Sequence, residues 1–123
     1  YAIIRLFNVY GPHQPNNFFI PDIKYKILNN KTIEIDKSVR DFIHVDEVSR
    51  IIKFILNKNI KNIINVGTGK GIQLIKIVKY LSRKYRLKPN LKIQNKQTKL
   101  IANISLLKSN GFKPKKNEKY INF

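Results

Sequence analysis

The sequence predicts an α/β fold that is part of a larger parallel sheet. Strand-like and helix-like segments alternate along the chain. Ala2 to Phe7 and Asn62 to Val66 are short apolar runs with no alternating polar face, the pattern of strands covered on both sides. Two such strands make a poor sheet by themselves, so further strands are expected beside them.

The elements follow in order. Ala2 to Phe7 reads as a buried strand that Gly11-Pro12 stops. His13 to Asn17 is a polar loop. Pro21 suits the first turn of a helix, and Ile23, Tyr25, Ile27 and Leu28 give an imperfect helical stripe to about Asn29. Thr32 to Ile35 is a short strand, and Val39 to Ile43 is expected to return beside it. Asp46 is the expected N-cap of a helix in which Val48, Ile51, Ile52 and Ile55 repeat at helical spacing. After the strand at Asn62 to Val66 comes a tight loop, Gly67 to Gly71. Leu74, Ile77, Val78, Leu81 and Tyr85 then form the clearest amphipathic stripe in the chain. Leu91 to Ile93 is a short strand, and Ile104 to Ser109 a helix ending at Asn110-Gly111. Pro114 and the lysines after it read as a surface tail.

The 123 residues suffice for one small domain with a modest core. The chain contains no cysteine, which excludes disulfides and thiolate metal sites. No apolar run is long enough to span a bilayer, and no signal-peptide pattern is present. Tyr1 opens inside an apolar stretch, so the sequence is expected to be a fragment of a longer protein. The net charge is +18, from 25 Lys+Arg against 7 Asp+Glu. Such a balance is compatible with a basic, non-enzymatic module associated with nucleic acid. The lysines, however, are spread along the whole chain among many asparagines and isoleucines, as in proteins of AT-rich genomes. Neither zinc-finger spacing nor an arginine-rich arm accompanies them. The charge would favour any phosphate-bearing ligand.

Three segments could carry chemistry. Gly67-x-Gly69-x-Gly71 follows a strand and precedes a helix, but Ile72 stands where a dinucleotide fingerprint needs glycine, and Lys70 is not followed by Ser or Thr. A turn needing flexible backbone is the favoured reading. In Arg40-Asp41-Phe42-Ile43-His44-Val45-Asp46, His44 lacks a Ser, Cys or metal-ligating partner at useful spacing. Asp41 is explained by pairing with a basic neighbour. Arg40 follows a tight turn, Asp36-Lys37-Ser38, and fits a diphosphate-binding fork and a surface ion pair equally well. Asn8, at a strand end, is either a ligand-binding amide or a turn former.

Together these segments resemble the NAD-dependent epimerase/dehydratase family, the extended short-chain dehydrogenases. Arg5-x-Phe7-Asn8-Val9-Tyr10-Gly11-Pro12 is similar to its strand-end motif, and Arg40 to Val48 to its second motif. Asn65-Val66-Gly67-Thr68-Gly69-Lys70 is similar to its third. Ala102-Asn103-Ile104-Ser105, with Gly111-Phe112-Lys113-Pro114, is similar to its C-terminal signature. The resemblance implies the last strands of a Rossmann-type sheet plus the small substrate-binding subdomain, so residues 1–123 would be the C-terminal nucleotide-sugar-binding part. It implies a nucleotide-diphosphate sugar as ligand, bound by Asn8, Phe18, Phe19, Ile35, Arg40 and Gln73, with Arg40 on the diphosphate and Ile35 on the strand that packs the base. Leu6 would pass the nicotinamide of NAD (or NADP). The complete enzyme would be a cytoplasmic homodimer that oxidises a sugar carbon transiently and then epimerises or dehydrates.

The chain departs from the family in three respects. Its NAD-binding, glycine-rich N-terminal part is expected to be absent. So is the catalytic Tyr-x-x-x-Lys that normally precedes the Asn8 motif, and the chain alone is expected to be inactive. Ile93-Gln94-Asn95-Lys96 stands where many members carry Arg-x-Gly-Asp.

Overall fold

A computed structural model describes residues 1–115. In chain order its elements are β1 (Ala2–Leu6), β2 (Asn8–Tyr10), α1 (Phe19–Leu28), β3 (Thr32–Asp36), β4 (Val39–Arg40), β5 (Phe42–His44), α2 (Val45–Asn57), β6 (Asn62–Val66), β7 (Ile72–Gln73), α3 (Leu74–Tyr85), β8 (Asn90–Gln94), β9 (Lys99–Leu100) and α4 (Ser105–Ser109). The fold is α/β. The tail after Lys115 lies outside the described residues.

The chain forms two compact units where composition suggested one domain. Of the described residues, the first takes in 1–11, 41–71 and 101–115; the second is 12–40 and 72–100. In the first unit β1 and β6 pair in parallel, from Ala2 opposite Asn62 to Leu6 opposite Val66, as predicted. β2 pairs in parallel with β5, Asn8 opposite Phe42. Ile51 and Ile55 of α2, Ile64 and Val66 of β6, and Ala102, Ile104, Leu107 and Phe112 of the last segment share one core. β1 is not buried as expected. Ile3 is 48% and Leu6 55% exposed, because β6 is its one partner strand among the described residues.

In the second unit β3 pairs in parallel with β8, Ile35 opposite Ile93. The expected return of 39–43 beside β3 does not occur. Residues 39–40 form the middle strand of a separate sheet, antiparallel to β7 and parallel to β9, and residues 42–44 leave for the first unit. A short run of alternating apolar residues states which face is buried but not which strand it meets. α1 and α3 cover β3 through Ile20, Ile23 and Ile27 on one helix and Ile77, Val78 and Leu81 on the other.

The four helices among the described residues close in the same way. A residue in the left-handed region follows the last turn: Asn30 (φ 51°), Asn59 (φ 50°), Arg86 (φ 53°) and Gly111 (φ 91°). The next residue's N–H then reaches back five residues, Lys31 to the Lys26 carbonyl, Ile60 to Ile55, Leu87 to Ser82 and Phe112 to Leu107, at 2.8–3.1 Å. Only the last of these stops was legible in advance, from Asn110-Gly111. The asparagines do the same work because their short polar side chain tolerates that backbone.

Candidate functional site

Arg40 occupies the centre of the three-stranded sheet in the second unit. Its register partner on β7 is Ile72, and Gln73 lies opposite Val39. The turn before it is built by Asp36, whose Oδ1 accepts the Ser38 N–H at 2.9 Å. The Ser38 hydrogen bonds hold the Asp36 carboxyl below its ordinary range, with the charges of Arg40 and Lys96 acting in the same direction against a smaller opposing effect of burial. The turn is tied to the segment before β9. Lys37 N–H donates to the Lys96 carbonyl and Val39 N–H to that of Thr98, and the Ser38 and Thr98 hydroxyls meet at 2.8 Å.

The Arg40 guanidinium donates from Nη1 to the Val39 carbonyl at 2.9 Å and to the Thr98 carbonyl at 3.3 Å, and from Nη2 to Thr98 Oγ1 at 2.7 Å. All three acceptors are neutral. Among the described residues no carboxylate stands within ion-pair distance of Arg40. Its charge therefore remains available to an anion, and the surface ion pair that the sequence left open does not form.

The other expected site residues divide between the units. Gln73, exposed, opens α3 without a side-chain capping bond. Phe18 precedes α1 and is 48% exposed, and Phe19 is its half-buried first residue. Ile35 is buried, so β3 offers a ligand its backbone and outward residues, not this side chain. These four belong to the second unit with Arg40. Leu6 and Asn8 belong to the first. Leu6 ends β1, and Asn8 begins β2 instead of ending the first strand. Asn8 donates both its N–H and its Nδ2 to the Asp41 carbonyl, at 3.2 and 3.0 Å. Its side-chain oxygen remains as an acceptor.

Asp41 corrects the sequence reading most sharply. It is fully buried and, among the described residues, pairs with no cation. Its Oδ1 accepts from the N–H and the hydroxyl of Thr68 at 2.9 and 2.5 Å, and its Oδ2 accepts from the N–H groups of Gly69 and Ala102 at 2.9 and 3.1 Å. One carboxylate thus organises the glycine loop and the segment entering α4. A Cβ at Gly67 would lie 2.4 Å from the Ala102 Cβ and 2.8 Å from Asp41 Oδ2, so close approach requires glycine there. The Thr68 and Gly69 amides are spent on Asp41, which confirms the loop as a structural turn and removes it as a phosphate cradle.

Two further corrections concern histidine and tyrosine. His44, not Asp46, is the N-cap of α2. Its Nδ1 accepts the Asp46 N–H at 3.2 Å, and its ring stands edge-on to Tyr10 with centroids 5.1 Å apart. A Tyr-x-x-x-Lys spacing is present after all, at Tyr80 and Lys84. It lies on α3, well after the Asn8 motif, where any two residues four apart on a helix are neighbours. Among the described residues no group of three or more His, Cys, Asp or Glu could hold a metal. Nor, among them, is any helix long and apolar enough to cross a membrane.

Parallel strands joined through helices define an α/β scaffold of the extended short-chain dehydrogenase type. The model of the NAD dependent epimerase/dehydratase family matches residues 1–67, and the chain belongs to that family. It is 32% identical over 92 residues to an ADP-L-glycero-D-manno-heptose-6-epimerase of Brachyspira hyodysenteriae, covering 68% of this chain and 29% of that protein. It is 39% identical over 84 residues to a GDP-6-deoxy-D-talose 4-dehydrogenase of Aggregatibacter actinomycetemcomitans, covering 65% and 29%. Among solved structures, it resembles a UDP-N-acetylglucosamine 4-epimerase from Methanobrevibacter ruminantium in complex with UDP-N-acetylmuramic acid, with a TM-score of 0.81 and 28% identity over 94% of this chain and 41% of that one. A UDP-glucose 4-epimerase from Thermotoga maritima, with UDP-glucose, gives a TM-score of 0.77 at 28% identity over the same shares. The chain thus spans under a third of the length of these curated relatives.

Proposed function

We propose that this chain is the C-terminal, nucleotide-diphosphate-sugar-binding part of an NAD-dependent epimerase or dehydratase. The observation that carries the reading is Arg40, a strand-borne guanidinium with three neutral acceptors and, among the described residues, no carboxylate within ion-pair distance. A diphosphate supplies the missing negative charge and the paired oxygens that a guanidinium fork suits. Gln73, on the neighbouring strand, and the half-exposed Phe18 with Phe19 add polar and aromatic contacts. β3, carrying Ile35, backs the base. Asn8 offers its side-chain oxygen to the sugar or diphosphate. The relatives are named for ADP-, GDP- and UDP-linked sugars, which supports the ligand class and leaves the base open.

NAD (or NADP) would be held mainly by segments preceding Tyr1, with the backbone at Leu6 passing the nicotinamide. The Gly67–Gly71 loop does not fit its diphosphate, since Asp41 occupies the donors. In the complete enzyme, which we read as a homodimer, the cofactor would supply transient oxidation of a sugar carbon. This chain would bind and orient the substrate and would not turn over UDP-glucose with NAD by itself.

The test is made in the full-length protein. Arg40→Ala weakens nucleotide-sugar binding by about 2–4 kcal/mol, the scale of losing a charge-assisted pair to a partly desolvated anion. Arg40→Lys recovers part of that, keeping the charge but losing the fork. NAD affinity changes little. Unaltered nucleotide-sugar affinity in Arg40→Ala overturns the assignment.

A further inference from the structure

A guanidinium carries five N–H donors, and which edge of it meets a ligand depends on which donors the protein has already engaged. In Arg40 the engaged ones are specific. Nη1 spends its two hydrogens on the Val39 and Thr98 carbonyls, and Nη2 spends one on Thr98 Oγ1. Thr98 therefore receives the outer end of the guanidinium with two oxygens of one residue. Among the described residues, Nε and the second hydrogen of Nη2 have no partner. Those two donors are adjacent and parallel, the edge that forks two oxygens of an anion.

Thr98 is itself held. Its N–H donates to Ser38 Oγ at 3.0 Å, its hydroxyl meets Ser38 Oγ at 2.8 Å, and its carbonyl also accepts the Val39 N–H at 2.8 Å. Ser38 is fully buried, and its own N–H is bound by Asp36. A chain of hydrogen bonds thus runs from Asp36 through Ser38 and Thr98 to Arg40. The two ends of this clamp, residues 36–40 and 96–98, are distant in sequence and are joined by the β4–β9 pairing.

From this geometry we infer that Thr98 is a positioning residue: by gripping the Nη1 and Nη2 end of Arg40, it presents the Nε and Nη2 edge to the diphosphate of the ligand. Thr98 touches no ligand in this scheme and acts only through Arg40. The inference rests on the reading of Arg40 as the diphosphate-binding residue, and the experiment separates the two.

Full-length protein is titrated calorimetrically with UDP, dTDP, GDP and ADP, and the tightest-binding of these is compared with its own nucleoside. Four variants are measured: Arg40→Ala, Thr98→Val, Thr98→Ser and Arg40→Ala with Thr98→Val. Thr98 is exposed, and the buried Ser38 Oγ keeps the Thr98 N–H as a partner when the hydroxyl is lost; Thr98→Ala serves equally if the valine variant does not fold. The expected result is a loss of about fivefold in diphosphate affinity for Thr98→Val, the scale of one hydrogen bond, with nucleoside affinity unchanged. Thr98→Ser binds like wild type, and the double variant binds no worse than Arg40→Ala. Diphosphate affinity unchanged in Thr98→Val but reduced in Arg40→Ala overturns the role of Thr98 and leaves that of Arg40 standing. So does an equal loss of diphosphate and nucleoside, or an additive double variant. Arg40→Ala binding like wild type removes the function proposed for Arg40, and the role of Thr98 with it.

Discussion

Asp41 binds Thr68 twice through a single oxygen, its Oδ1 accepting both the backbone N–H and the hydroxyl of a residue 27 positions away. The other oxygen takes two further amides, so a fully buried carboxyl group is satisfied by four donors. Asparagine has the same shape, but in its better orientation the amide nitrogen still faces the Thr68 N–H and leaves it unsatisfied, while the Thr68 hydroxyl can turn to accept from it. Asp41→Asn is therefore expected to destabilise the protein by about 1–3 kcal/mol, the cost of one orphaned buried donor. Urea denaturation measures it, and a loss below about 0.5 kcal/mol would show that the loop finds other acceptors.

Arg86 ends α3 in the left-handed region at φ 53°, where a side chain other than glycine or asparagine is strained. Arg86→Gly relieves the strain and is expected to stabilise by about 1 kcal/mol. The gain appears as a higher denaturation midpoint with the same slope. Asn59, at φ 50°, gains less from the same change because asparagine already tolerates that backbone.

Glu47 and Arg50 pair through two hydrogen bonds of 2.8 and 2.5 Å, and Arg50 also lies over the Phe112 ring and donates to the Lys113 carbonyl. Burial pushes the Glu47 carboxyl up. The Arg50 hydrogen bonds, the Lys115 N–H and the charges of both residues together outweigh it and leave the carboxyl below its ordinary value. A carboxyl with a folded pKa below its unfolded value contributes stability above the unfolded value. It loses that contribution as pH falls through the folded one. Glu47→Gln is expected to be less stable at neutral pH, with the difference shrinking on acidification. Parallel stability curves at all pH values would sink this.

Much of the fold was legible because the patterns involved are local or paired. The stripe Leu74, Ile77, Val78, Leu81 places α3, and its centre is the buried part. Two apolar runs with no polar face pair in parallel as β1 and β6. What escaped the sequence depends on distant partners. β3 finds β8, whose residues lie 58 positions on (Thr32 opposite Asn90), and not the adjacent segment. Asp41 looked like half of an ion pair because the amides that satisfy it lie 27 to 61 residues away. His44 takes the cap from Asp46, as either residue has a suitable acceptor and only the backbone angle at the helix entry decides. At the site, Arg40 was visible from its turn and its motif. Thr98, a lone threonine in a lysine-rich segment, carries no sequence signal at all.

The chain crosses between its two units after residues 11, 40, 71 and 100. That weave has a consequence for synthesis. The first unit's core needs Ile104, Leu107 and Phe112, and the second unit's sheets need β8 and β9. Synthesised amino end first, neither unit can be completed until residues 90–112 have emerged. Helices form along the way, but α2 and α3 wait with their apolar faces uncovered. Until then those faces stay sticky, and the many lysines give such nascent segments a mutual charge repulsion.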